Sequence, residues 1–541
     1  MVRQLARPWR LWPALAASLL LLNASLTFEN VWPTPKIRWA SALAIELAVC
    51  VLLLAVAYRW AERLARRVLP AIWVVLVAGR YIAVTGPGLY GREFNLYWDS
   101  AHLGNVAAML ARAAPWWLVA AAALAAVALI GLVFLIARVA FAQLAAAMDE
   151  RRPRVALGSL AALVIVWYAV ATPRDTNPAV VADVRAGPIH LAFAHPVTPA
   201  YVRQARFVLA TAGARVVPPS PPLDAELRGL GGVDVLLVFL ESYGAITYDA
   251  PDIAAGLAGS RAALDAAVRD TGRHVVSAYV ESPTFGASSW LAHLSLLTGV
   301  DVRDQYTYTS LMASGRDTFV DTFKRRGYRT VALMPGMRQA WPEGEFYGFD
   351  IIYGRDHLEY QGPEFGWWAV PDQYALAKLD VLERRPGPRA PLFAVFPTST
   401  THAPFGPVAP YQPDWARLLT KDAFDEAEVA RAMAARPDLT NLRPSYVHAM
   451  AYEFASLAGY LREHQDDFVL VVVGDHQPPA AVTGAGAPWD VPVHVIARRA
   501  HILDRLRAHG FRAGLTPERP SAGAMHALVP MLFEAFDAPE D

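Results

Sequence analysis

Apolar positions are distributed along this chain in two different ways, and the change falls near residue 172. Before it, five stretches are almost continuously apolar: Leu11–Phe28, Trp39–Tyr58, Val68–Thr85, Trp116–Ala137 and Val155–Ala171. Each approaches the roughly 18–20 residues that a helix needs to cross a hydrocarbon layer. Residues 1–172 are therefore predicted to be an α-helical membrane domain of five spans. A signal peptide would explain the first stretch alone, but four more follow it and no small-residue cleavage site stands out. After residue 232 the pattern becomes short apolar runs separated by segments of helical spacing. The runs Val233–Leu240, His274–Val280, Arg329–Met334, Leu392–Phe396, Phe468–Val473 and Val491–Ala497 are predicted as strands. Arg261–Asp270, Thr318–Arg326 and Tyr446–Arg462 are predicted as helices between them. Continuous Val/Leu/Ile runs read as strands buried on both faces. Their alternation with helices reads as βαβ units, so residues 233–541 are expected to form an α/β/α domain on a mostly parallel sheet. Residues 173–232 read as a linker outside the cytoplasm, with the proline-rich Val216–Pro222 too rigid for helix.

Charge orients the first part. Arg3, Arg7 and Arg10 precede the first stretch, Arg59, Arg63, Arg66 and Arg67 separate the second from the third, and Arg138, Arg151, Arg152 and Arg154 separate the fourth from the fifth. The alternate loops hold only Lys36 with Arg38 and Arg92 with Arg112. Basic loops stay cytoplasmic, which puts everything after Thr172 on the outside. Glu46 and Arg80 fall inside two spans at similar depth, and intramembrane charges are costly when unpaired, so an ion pair between them is expected. The segment Leu89–Pro115 carries Tyr90, Tyr97 and Trp98 and is expected at the outer interface. With Lys+Arg 49 against Asp+Glu 49, nothing in the charge calls for nucleic acid. The single cysteine, Cys50, lies in an apolar stretch, which excludes an internal disulfide and a thiolate metal cluster.

Two of the predicted strands end in hard metal-ligand side chains. The first runs into Glu241, and Phe468–Val473 runs into Gly474-Asp475-His476. Ligand sites of open α/β sheets lie just outside the carboxyl ends of the strands. Glu241, Asp475 and His476 are thus candidate ligands of one cation, with oxygen and nitrogen donors suited to Zn²⁺ or Mn²⁺. Gly474 reads as permitting a tight turn before them. Gly286-Ala287-Ser288-Ser289-Trp290 opens a helix, where the hydroxyl of Ser288 or Ser289 would meet a bound anion while the other serves as an N-cap. A metal at that hydroxyl would make it a nucleophile. His402 follows another strand and is a candidate acid, base or oxyanion stabiliser. His293, one turn beyond Ser289, is a candidate substrate contact or a packing residue, and His494, inside a strand, reads as a buried structural histidine. There is no glycine-rich phosphate loop and no dinucleotide fingerprint.

These pieces, in this order, resemble the sulfatase/alkaline-phosphatase superfamily, and the five spans followed by such a domain resemble its lipoteichoic acid synthase and phosphoglycerol transferase branch. The resemblance implies that Glu241, Ser289, Asp475 and His476 bind one divalent ion, Mn²⁺ with Mg²⁺ or Zn²⁺ as alternatives. It selects Ser289 over Ser288 as nucleophile, because the family's nucleophile stands nine positions before the Thr of a Leu-Thr-Gly ending, here Thr298. It gives His402 a contact with the reacting phosphate, and makes Arg338 and Trp341, beside His293, candidates for substrate binding. The implied activity moves a phospholipid headgroup phosphate, most plausibly phosphoglycerol, to an extracytoplasmic glycan or polyol through a serine ester, in a multi-pass protein of a bacterial inner membrane. A hydrolase of a soluble sulfuric or phosphoric ester and a non-catalytic envelope binding protein are the alternative readings. Three departures stand out. The branch usually has Thr where this chain has Ser289. Trp290-Leu291-Ala292-His293 lacks the Pro and Arg that formylglycine formation requires, which argues against a true sulfatase. The outer region also lacks the cysteines typical of phosphoethanolamine transferases.

Overall fold

The computed structural model describes residues 8–30, 37–90, 116–171, 192–194, 196–211, 217–337, 341–366, 368, 370–385, 388–438, 441–484 and 486–539. The chain divides into two compact units, residues 1–87 with 92–213 and residues 88–91 with 214–541.

In the first unit, three of the described helices are long and apolar enough to cross a membrane: Tyr58–Gly86, Trp116–Met148 and Arg151–Val170. The two earlier apolar stretches form shorter helices, α1 (Pro8–Ala24) and α2 (Ile45–Val56). Their flanks turn into strand instead. Phe28–Asn30 pairs antiparallel with Ile37–Trp39, and Ala42-Leu43 pairs with Ala192-Phe193. Hydropathy reports the solvent a segment prefers, not its conformation, so five apolar windows need not be five full-length helices. The helices meet through Leu54, Trp73, Phe141, Leu144 and Met148, with the Trp73 and Phe141 rings edge-on at 5.3 Å. Glu46 serves a different purpose from the expected ion pair. Its Oε1 accepts the N–H groups of Val197 at 2.6 Å and Thr198 at 3.4 Å, capping α3 (Thr198–Thr211). Arg80 donates to the Phe28 carbonyl at 2.9 Å. The expected interfacial segment 89–115 lies almost wholly outside the described residues.

The second unit is built on an eight-stranded sheet. Its strands are β1 (Asp234–Leu240), β2 (His274–Glu281), β3 (Arg329–Met334), β4 (Ile351–Gly354), β5 (Leu392–Pro397), β6 (Phe468–Gly474), β7 (Asp490–Ala497) and β8 (Arg512-Ala513). The spatial order is β8-β2-β7-β6-β1-β5-β3-β4. The block from β6 to β4 is parallel, and β7 runs antiparallel to both its neighbours. All seven residues of β1 are buried, because both faces are covered. Leu236, Val238 and Leu240 pack with helices α4 (Pro251–Asp270), α6 (Asp372–Leu379) and α7 (Arg443–Glu463). Val235, Leu237 and Phe239 pack on the other side, with α5 (Ser289–Thr298) and the C-terminal helix α8 (Leu528–Asp537). Each such side chain contributes about 1.5–3 kcal/mol on burial, which holds the two central strands rigidly in register. Part of the expected linker belongs to this unit: Leu223, Leu227 and Leu230 are buried in its core.

Candidate active site at the strand ends

Beyond Leu240 the chain leaves the sheet abruptly. Ser242 takes a left-handed conformation, φ 56°, which costs a non-glycine residue about 1–2 kcal/mol. Two hydrogen bonds offset that cost: its N–H donates to Asp475 Oδ1 at 2.8 Å and its hydroxyl to Glu241 Oε1 at 2.9 Å. The parallel register sets Gly474 opposite Leu240, so the next residues of both strands emerge side by side. Gly474 is needed for approach, and not for the turn expected of it. A Cβ there would come within 1.8 Å of the Tyr243 carbonyl oxygen, whereas its φ is not in the left-handed region.

Glu241, Asp475 and His476 are all buried, with one ligand atom from each within 4.8 Å of the others. The His476 Nδ1–H donates to the Gln477 carbonyl at 2.7 Å, which leaves the Nε2 lone pair free to face the cluster. That Nε2 lies 3.5 Å from Glu241 Oε1 and 3.7 Å from Asp475 Oδ2. Ser289 opens α5 behind Ser288, whose φ of 68° sets the direction of the helix. The Ser289 hydroxyl donates to Glu241 Oε2 at 2.9 Å and sits 3.1 Å from His476 Nε2. It is Ser289 that reaches the cluster, while Ser288 stays at the helix cap.

The electrostatics of this cluster are those of a cation site. Burial opposes charge on Glu241, but His476, His402 and the Ser242 hydroxyl hold it ionised below the usual carboxylate range. Burial and the Glu241 charge push Asp475 well up. Burial also lowers His476, despite Glu241, and so favours the neutral imidazole that a metal takes. Among the described residues, Asp475 Oδ2 and His293 Nε2 are buried without a hydrogen-bond partner, and they stand 4.0 Å apart. An unpartnered buried carboxylate oxygen beside a second carboxylate is strongly unfavourable alone and is satisfied by a divalent ion. The donor set present therefore fits one such ion.

His293 packs its ring 4.4 Å from Phe239, and burial lowers it to about 4, so it borders the cluster as a neutral imidazole. His402 is carried by the loop after β5. Its Nδ1–H donates to the Ala403 carbonyl at 2.8 Å, and its ring stands edge-on to Trp368 at 4.9 Å. Its charge bears on both Glu241 and His476. A cleft beside it is lined by Phe365, Trp368, Pro404 and Pro407. Trp341 packs instead on Tyr347, ring centroids 5.5 Å apart, and on Gly344; its contacts are with the core. Arg338 lies outside the described residues. His494 bonds Ser277 Oγ at 2.6 Å and Tyr243 OH at 2.8 Å, as a buried structural histidine does.

Several residues around the cluster escaped the sequence reading. Thr398 Oγ1 accepts the Glu241 N–H at 3.0 Å, and Thr401 Oγ1 donates to the Glu241 carbonyl at 2.6 Å. The run Thr398-Ser399-Thr400-Thr401 was visible as four hydroxyls directly after an apolar strand. Ser242, by contrast, gave no signal, because its partner lies in another strand.

Residues 291–496 match the sulfatase family. The matched segment lies within the second unit. It contains His293, His402, Asp475 and His476 and begins two residues after Ser289. Among solved structures the chain is similar to the lipoteichoic acid synthase LtaP from Listeria monocytogenes, at 15% identity over 62% of this chain and 78% of that one, TM-score 0.37. It is similar also to the phosphoglycerol transferase GacH from Streptococcus pyogenes, in complex with sn-glycerol-1-phosphate, at 12% identity over 63% and 82%, TM-score 0.36. The C-terminal periplasmic domain of EptC from Escherichia coli is similar at 14% identity over 52% and 76%, TM-score 0.34. No curated protein matches the chain significantly.

Proposed function

We propose that this protein is a membrane-anchored, metal-dependent transferase that moves the headgroup phosphate of a phospholipid, phosphoglycerol first among the candidates, to a glycan or polyol hydroxyl outside the cytoplasm. The observation that carries the reading is the placement of the Ser289 hydroxyl between Glu241 Oε2 and His476 Nε2, at the rim of a buried cluster with an unpartnered Asp475 oxygen. Glu241, Asp475, His476 and the Ser289 oxygen would hold one divalent ion, which lowers the hydroxyl's pKa and neutralises charge on the phosphoryl oxygens. Mn²⁺ is the ion we favour.

The chain's own groups then divide the work. Glu241 Oε2 takes the hydroxyl hydrogen, which turns a lone pair of Ser289 Oγ toward phosphorus. The oxygen attacks, the bond from phosphorus to the diacylglycerol oxygen breaks, and a phosphoseryl ester remains. His402 keeps Nε2 available, because its Nδ1–H is committed to Ala403. It gives a proton to the departing oxygen and later takes one from the acceptor hydroxyl, whose oxygen bonds to phosphorus as the bond to Ser289 Oγ breaks and Ser289 regains its hydrogen from Glu241. The N–H groups at the start of α5 add positive potential at the transferring phosphoryl group. The cleft lined by Phe365, Trp368 and Pro404 offers the headgroup a place beside His402. The apolar helices, in the orientation that their basic loops favour, would hold the protein in the membrane that supplies the lipid.

The test is intact-mass spectrometry of the full-length protein after incubation with Mn²⁺ and phosphatidylglycerol or phosphatidylethanolamine. The expected result is a mass gain of one headgroup phosphate in the wild type and none in Ser289→Ala. Lipid-independent hydrolysis of a soluble ester, with no adduct from either lipid, would replace this reading with the hydrolase one.

A further inference from the structure

Behind the active-site loop lies a second pair of buried carboxyl groups that the chemistry above does not use. Asp372, at the start of α6, is fully buried, and Glu453, midway along α7, is 2% exposed. The two groups interact, and burial raises both. Asp372 also gathers four donors from one short stretch. The Ser399 N–H lies at 2.9 and 3.0 Å from its two oxygens and the Ser399 hydroxyl at 3.2 Å; the Thr400 N–H lies at 2.7 Å, and the Thr400 hydroxyl donates to the same oxygen. The residues on either side of this stretch grip Glu241: Thr398 takes its N–H and Thr401 holds its carbonyl. The next residue is His402, whose own N–H donates back to the Ser399 carbonyl at 3.1 Å.

We propose that the Asp372–Glu453 pair is a positioning element for phosphoryl transfer: by clamping Ser399 and Thr400 it sets, through one loop, both the candidate metal ligand Glu241 and the candidate acid–base His402. Two carboxyl groups this close and this deep persist only if one keeps a proton. Burial raises both, and the Asp372 charge raises Glu453 further; Asp372 faces four N–H and O–H donors that favour its charged form, so Glu453 keeps the proton. Asp372 then remains a single charge facing four N–H and O–H groups and one acid O–H, an arrangement that an amide with one acceptor oxygen cannot reproduce. In Glu453→Gln, an amide N–H replaces the acid O–H and the clamp survives. A purely structural pair would show itself in stability alone, whereas a positioning pair changes ion affinity and turnover in folded protein.

The inference rests on the transferase reading, so the experiment carries one readout that does not need turnover. Full-length Asp372→Asn, Glu453→Gln and Thr400→Val are compared with wild type for Mn²⁺ affinity by electron paramagnetic resonance, and for kcat and KM on phosphatidylglycerol vesicles. Asp372→Asn is expected to weaken Mn²⁺ binding and lower kcat by about 10-fold or more each, with KM nearly unchanged. Glu453→Gln is expected to stay within about twofold of wild type. Thr400→Val, a milder cut in the same clamp, should move in the direction of Asp372→Asn, and it decides the matter if that variant does not accumulate folded. Wild-type Mn²⁺ affinity and kcat in folded Asp372→Asn, or equal damage in Glu453→Gln, would overturn the proposal. Wild-type protein inactive on the lipid would count against the transferase reading, while the Mn²⁺ comparison would still decide the clamp.

Discussion

At Gly474 one methyl group is too many. The Tyr243 carbonyl passes where a Cβ would be, and both residues belong to the segments that deliver Asp475 and Glu241. Gly474→Ala is expected to destabilise the protein by about 3 kcal/mol, because a backbone must move and not a flexible side chain. Thermal unfolding of the full-length variant reads this directly, and an unshifted midpoint would contradict the contact. Glu241, Asp475, His476 and Ser289 were legible in the sequence because each interrupts an apolar run or opens a helix, where hydrophobic packing offers no reason for it. Asp372, Glu453 and Ser242 were not, since the meaning of each depends on a partner in another segment. Glu453 did leave one trace: it sits on the apolar face of Tyr446–Arg462, between Tyr452 and Phe454, where a carboxyl group needs a partner.

Among the elements, the six long strands could be read from the chain because burial on both faces makes each a solid apolar run. The two strands of the eight-stranded sheet that went unread, Ile351–Gly354 and Arg512-Ala513, are short edge strands with too few residues to show a pattern. The antiparallel direction of β7 was also hidden, since a buried run looks the same in either direction. That strand carries His494, pushed down to about 3 by burial and then by Arg261. In the unfolded chain this group titrates near 6.5, so between roughly pH 6.5 and 3 the unfolded state holds the extra proton. Stability is therefore full above about 6.5 and is lost as the pH falls toward 3, each unit being worth about 1.4 kcal/mol. His494→Gln keeps a hydrogen-bonding amide but does not titrate. Its unfolding midpoint should fall less steeply than the wild type's over that window, and parallel curves would show that other groups set the acid limb.

For the whole molecule, the orientation argued from the basic loops makes a prediction that Cys50 simplifies. It is the sole cysteine and it is buried, so Cys50→Ser supplies a clean background for labelling. In that background, Lys421→Cys in the second unit is expected to react with a membrane-impermeant maleimide on intact cells. Arg151→Cys is expected to react only after permeabilisation, and the reverse pattern would invert the topology. The division into an apolar helical part and an α/β part was readable from a change in hydrophobic rhythm. The lengths of the first two helices were not, because apolar residues such as Phe28 and Trp39 serve a strand as well as a helix.

The pairing of β1 with β6 has a consequence in time. Glu241 and Ser289 are synthesised well before Asp475 and His476, and the cluster exists only when the two strands lie in register, Leu240 against Gly474. A growing chain that stops short of β6 carries half a site, with one carboxylate and one hydroxyl, which is too little to retain an ion. On the metal-dependent reading proposed above, loading would wait until nearly all of the domain has been made. The ion would then be drawn from whichever compartment the finished domain occupies, so the surroundings of the folded protein would take part in choosing its metal.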